Sequence, residues 1–79
     1  MQVEVRLFGN LGQYLPEGGD RFSFTKGIEG NATVEQLLKD LSLPENMPIL
    51  IMVNGTRRDR AYVLKDRDEV TLFSPAAGG

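Results

Sequence analysis

Seventy-nine residues with a formal net charge of -2, no cysteine and no histidine allow one small, mildly acidic domain. The missing cysteine excludes disulfides, thiolate metal sites and thiol nucleophiles. The missing histidine removes the commonest general base and the commonest transition-metal ligand.

The N-terminus opens directly on a strand pattern. Val3, Val5 and Leu7 alternate with Gln2, Glu4 and Arg6, a period of two with one apolar face, and the spacing predicts a strand over 2–8. No signal peptide is visible, so a cytoplasmic setting is expected. Leu11, Tyr14 and Leu15 have helical spacing and predict a short helical turn stopped by Pro16. Gly18-Gly19-Asp20 is turn chemistry. Phe22 and Phe24 then alternate with Arg21, Ser23 and Thr25, which predicts a second strand over 20–25, hairpin-paired to the first. Residues 26–31, with Gly27 and Gly30, read as a loop.

Thr33 followed by Gln36 fits a capping box. The Thr33 hydroxyl takes a first-turn N–H, and Gln36 reaches back to the cap. Val34, Leu37, Leu38 and Leu41 give the following helix one apolar face, with Glu35, Lys39 and Asp40 toward water. Pro44 and Pro48 bracket a connection. Residues 49–53 are five apolar residues rich in β-formers, suited to a strand central in the sheet or shielded on both faces. This is also about the longest apolar run, far too short for a membrane span. Asn54-Gly55 signals a tight turn. Arg57, Arg58, Asp59 and Arg60 follow on a short polar strand or loop, and 65–68 make another turn. Alternation of Val70 and Leu72 with Thr71 and Phe73 predicts a last strand over 69–73.

One amphipathic helix packed over a mixed sheet of four to five strands solves the burial problem for this order. It makes an α+β fold in which the first and last strands pair in parallel at the centre. Residues 1–73 are expected to form the domain and 74–79 a tail. A catalytic site would need Asp, Glu, Lys or Tyr, and no pair of these stands out by spacing, so the chain is not expected to be catalytic alone. With no glycine-rich loop between a strand and a helix, no metal, nucleotide or flavin is expected on this chain by itself. Nor does the bulk charge suggest nucleic acid.

The tail ends in Gly78-Gly79. Two residues without Cβ let a terminal carboxylate pass down a narrow channel against another protein's backbone. Pro75 would stiffen the root of such a tail. The competing reading is an incidental pair of glycines at a frayed end. Phe73 lies on the opposite side of its strand from Val70 and Leu72, which makes it the candidate anchor for a partner. Phe8 is out of phase with Val5 and Leu7 in the same way. The alternative for Phe73 is an ordinary core position on the second face of the sheet. The arginine cluster at 57–60 reads either as a solvated turn or as a surface for an acidic partner.

Several stretches resemble the MoaD/ThiS family of sulfur carriers, most closely the small subunit of molybdopterin synthase. They are Val5-Arg6-Leu7-Phe8-Gly9 with Leu11, Thr33-Val34 through Leu38, Val53-Asn54-Gly55, Leu64 to Val70 against the pattern L-x-D-G-D-E-V, and Phe73 to Gly79 against F-P-P-x-x-G-G. The resemblance implies the β-grasp, or ubiquitin-like, fold. It implies that an E1-like adenylating enzyme, using ATP and Mg²⁺, activates Gly79, and that sulfur from a donor protein then displaces AMP to leave a thiocarboxylate. Gly78, Ala77, Ala76 and Pro75 would form the tail entering the partner. A larger synthase subunit would supply catalytic residues and receive the sulfur for molybdenum-cofactor biosynthesis. Carriers for thiazole or a tungsten cofactor, and protein modifiers joined to lysines of their targets, share the same activation. A plain interaction domain is the third class. Two positions depart from the pattern. Arg67 replaces a glycine, where a positive φ would strain arginine and a different turn is expected. Ser74 replaces the first of two prolines, which leaves the pathway open.

Overall fold

The first strand, β1 (Gln2–Gly9), forms as its alternation predicts. Val3, Val5 and Leu7 are buried, and the residues between them face the other way. The structure is a computed structural model and describes residues 1–9, 23–43 and 48–74. The helical turn expected around Leu11, Tyr14 and Leu15, the Gly18–Asp20 turn, Phe22, the Pro44 end of its connection and residues 75–79 lie outside the described residues.

Strand β2 (Ser23–Gly27) runs antiparallel to β1, with Gln2 opposite Gly27 and Val3 opposite Lys26. Lys26 and Gly27, read from sequence as loop, are therefore strand. Pairing with β1 extends β2 past the point where its own composition turns polar. The helix α1 (Val34–Asp40) carries the expected capping box. Thr33 Oγ1 accepts from the Gln36 N–H at 3.3 Å, and Gln36 Oε1 accepts from the Thr33 N–H at 3.0 Å. Two further first-turn amides donate to a distant segment, Val34 to the Tyr62 carbonyl at 3.0 Å and Glu35 to the Arg60 carbonyl at 2.9 Å. A helix of 7 residues is too short to persist alone. Here packing of Val34, Leu37 and Leu38 on the sheet, and this backbone clasp, hold it.

Strands β3 (Leu50–Val53) and β4 (Thr56–Arg57) form a hairpin across Asn54-Gly55. Both turn residues have positive φ, 53° and 84°, as a two-residue turn matched to strand twist requires. Strand β5 (Glu69–Ser74) pairs in parallel with β1 and antiparallel with β3. The sheet order is β2-β1-β5-β3-β4, with the first and last strands central, as expected. Val70 and Leu72 join Val3, Val5, Leu7, Ile51 and Val53 against the helix to make the core.

Three details differ from expectation. Ser74, expected to begin the tail, is the last residue of β5 and is 3% exposed. Strand β3 is internal, between β5 and β4, as one of its two readings had it, but it is not shielded on both faces by the described residues, since the helix covers one and Leu50 and Met52 are half-buried on the other. The 65–68 turn keeps the form a glycine would give. Asp68 N–H donates to the Lys65 carbonyl at 3.1 Å, and Arg67 takes φ 69°. The turn is pinned from outside. Arg67 N–H donates to the Gln2 carbonyl at 2.6 Å, Gln2 N–H to Asp66 Oδ1 at 2.9 Å, and Glu4 N–H to the Asp68 carbonyl at 2.9 Å. Beneath it the buried Asp68 carboxylate accepts from Asn54 Nδ2 and from Lys65 N–H, both at 2.8 Å.

Candidate partner face at the end of the central strand

The face of the sheet away from α1 is organised in cross-strand rows. At the C-terminal end of β5, Phe73 stands beside Phe8 of β1 on one side and Leu50 of β3 on the other. The next outward-facing row is Arg6, Thr71, Met52 and Arg57, and beyond it lie Glu4 and Glu69. Phe73 is 40% exposed, among the most exposed large apolar residues described. Phe8, Leu50 and Met52 are half-buried beside it. Apolar side chains scattered singly over a surface mean little. Contiguous ones at one end of a bare sheet mark a contact surface.

Phe73 therefore occupies the face that alternation assigned to it, outside the core, and Phe8 is its direct neighbour. The sequence reading missed Leu50 and Met52 as members of this row. Their run of five apolar residues resembles a strand buried on both faces. What distinguishes them is which neighbours they pair with. Leu50 meets Phe73, whose outward phase was already legible.

The charges around the row differ in how far they are committed. The Arg6 guanidinium lies 3.4 Å from Glu4 and 3.7 Å from Glu69. Arg60 pairs with Glu35 of α1 at 3.1 Å, the Arg58 guanidinium sits 5.0 Å from the centre of the Tyr62 ring, and Asp59 Oδ1 accepts from the Ala61 N–H at 2.9 Å. The 58–60 part of the cluster is thus a folded turn that clamps the helix start. Arg57 lies on the outer face opposite Met52. Among the described residues no three carboxylates converge where they could hold a metal ion, and no helix is long and apolar enough to cross a membrane. Gly79, Gly78, Ala77, Ala76 and Pro75 follow directly on β5 in sequence but lie outside the described residues.

One helix laid across a mixed sheet, with the first and last strands parallel at its centre, defines the β-grasp, the ubiquitin-like class. Within that class the chain belongs to the ThiS family, whose model matches residues 5–79. Its structure is similar to SAMP1 from Haloferax volcanii, with a TM-score of 0.71 over 100% of both chains at 22% identity. That likeness is one of fold. It is also similar to a chain of the complex between subunits 1 and 2 of molybdopterin-converting factor from Helicobacter pylori, with a TM-score of 0.59, 28% identity and 100% of both chains covered. No curated protein matches the chain.

Proposed function

We propose that this chain is a sulfur carrier acting as the small subunit of a molybdopterin synthase. The observation that carries the reading is the family match running through to Gly79. It is supported by the 28% identity to a chain of the Helicobacter complex and by the apolar row around Phe73, from which the tail continues. A carboxylate is a poor electrophile. An E1-like enzyme of the cytoplasm first joins the Gly79 carboxylate to AMP, releasing pyrophosphate from ATP with Mg²⁺. Sulfide supplied by a donor protein then attacks the acyl carbon, AMP leaves, and a thiocarboxylate remains. Its sulfur is the nucleophile delivered to a larger synthase subunit, which brings the basic groups this chain lacks. The chain itself supplies a docking face, a tail root fixed at Ser74 by the central strand, and a tail slim enough to enter a partner.

The test is intact mass. Incubated with its activating enzyme, ATP and a sulfur donor, the protein should gain one sulfur in place of one oxygen, located at Gly79. Deleting Gly79, or adding a residue after it, should abolish the exchange and leave the fold unchanged. Gly78→Val should impair it, because a β-branched side chain crowds a channel that glycine enters. If a chain extended beyond Gly79 supports product formation untrimmed, the carboxylate is not the working group. Covalent adducts on lysines of other proteins, in place of the thiocarboxylate, would identify a protein modifier.

A further inference from the structure

The arginines at 57–60 are not equivalent. Arg60 is neutralised by Glu35 and Arg58 is stacked on Tyr62. Arg6, another arginine on the outer face, is held between Glu4 and Glu69. Arg57 has no ionic partner among the described residues, is exposed, and stands directly across from Met52, which continues the apolar row from Leu50. An exposed guanidinium at the edge of a docking face, with no acceptor among the described residues, offers a strong, planar donor set. The corner is positive on a chain whose formal net charge is -2. The next row along the face carries Glu4 and Glu69, both held by Arg6.

We propose that Arg57 recognises a carboxylate of the protein that docks on the Phe73 face, on a segment whose neighbouring apolar side chains lie along Met52 and Leu50. This rests on the docking role given to Phe73 above and adds the partner's chemistry and its orientation. The apolar row supplies affinity without direction. Arg57 stands at the β4 edge of the row next to Phe73, so it favours the orientation that brings the partner's carboxylate to that edge. A nucleic acid fits poorly, because the free cation adjoins aromatic and aliphatic side chains and the chain as a whole is acidic.

The test uses the full chain and the larger synthase-type subunit from the same host, with association and dissociation rates followed by surface plasmon resonance. At about 50 mM salt, Arg57→Glu should slow association about tenfold, and the loss should shrink at about 500 mM. Arg57→Lys should retain most of the rate. Phe73→Ala should instead speed dissociation at both salt concentrations. If Arg57→Glu binds within about twofold of wild type at low salt while Phe73→Ala weakens binding, the face docks without this contact and the proposal is wrong. If both variants bind as wild type does, the docking role of the face fails first and takes this proposal with it. Should Arg57→Glu melt early, Arg57→Ala replaces it, read from the slope of association rate against salt. An unchanged slope would overturn the assignment.

Discussion

Arg67 shows how a single residue can be held against its own preference. An L-residue in the left-handed region is disfavoured by about 1 kcal/mol, and the Arg67 side chain recovers little. It is 92% exposed and only 4.0 Å from Asp66 at its nearest ionic approach. What holds φ at 69° is the backbone bond to Gln2 and the buried Asp68 next to it. Arg67→Gly should therefore raise the melting temperature by a few degrees, the strain relieved being partly offset by glycine's greater freedom in the unfolded chain. Arg67→Val should lower it. A fall on Arg67→Gly would mean that the arginine makes a contact of its own. The Thr33–Gln36 box and the Asn54-Gly55 turn were legible in the sequence because donor, acceptor and backbone preference lie within three residues. The Arg67 conformation was not, because Gln2 imposes it from the far end of the chain.

Among the elements, α1 depends most on its surroundings. Its capping box was legible, but the clasp by the Arg60 and Tyr62 carbonyls was not, since no local pattern announces it. That division of labour sets the size of a cap deletion. Thr33→Ala removes the acceptor for the Gln36 amide and leaves the Val34 and Glu35 amides bonded, so the expected loss is about 1 kcal/mol. Thr33→Ser should restore most of it. Urea unfolding of the two variants measures this, and a Thr33→Ala curve that overlays wild type would show that the clasp alone suffices. The ends of β2 and the outer side of β3 were illegible for a related reason. Polar Lys26 and Gly27 become strand because Val3 and Gln2 pair with them, and apolar Leu50 and Met52 are only half-buried because, among the described residues, the helix lies on the other side.

For the whole molecule, the proposed function divides stability from recognition between the two faces of the sheet. Leu72 and Phe73 are adjacent in β5, yet one is fully buried and the other is open. Leu72→Ala should cost about 2–5 kcal/mol of stability. Phe73→Ala should leave the melt nearly unchanged and weaken partner binding by about 2 kcal/mol. Calorimetric melts beside partner titrations separate the two effects. If Phe73→Ala melts far below wild type and keeps its partner affinity, the outer face is a second packing surface. The overall architecture was readable because alternation gave each strand its faces and one capped segment gave the helix. The partner face was readable at Phe8 and Phe73, where an aromatic breaks the phase of the buried residues, and at Arg57 as one of two readings of its cluster.

The parallel pairing of β1 with β5 also orders events in time. Residues such as Val5 and Val70 are neighbours in the sheet but sit near opposite ends of the sequence. The middle of the sheet therefore cannot close until β5 has left the ribosome, and contacts this distant slow folding. Phe8 and Phe73 come together in that same closing step. A half-made or unfolded chain lacks the row beside Ser74, so an enzyme that grips that row before acting on the glycines would select finished molecules. Under the proposed function, proofreading of the carrier would need no separate device, because the surface that reports completion would be the one the activating enzyme holds.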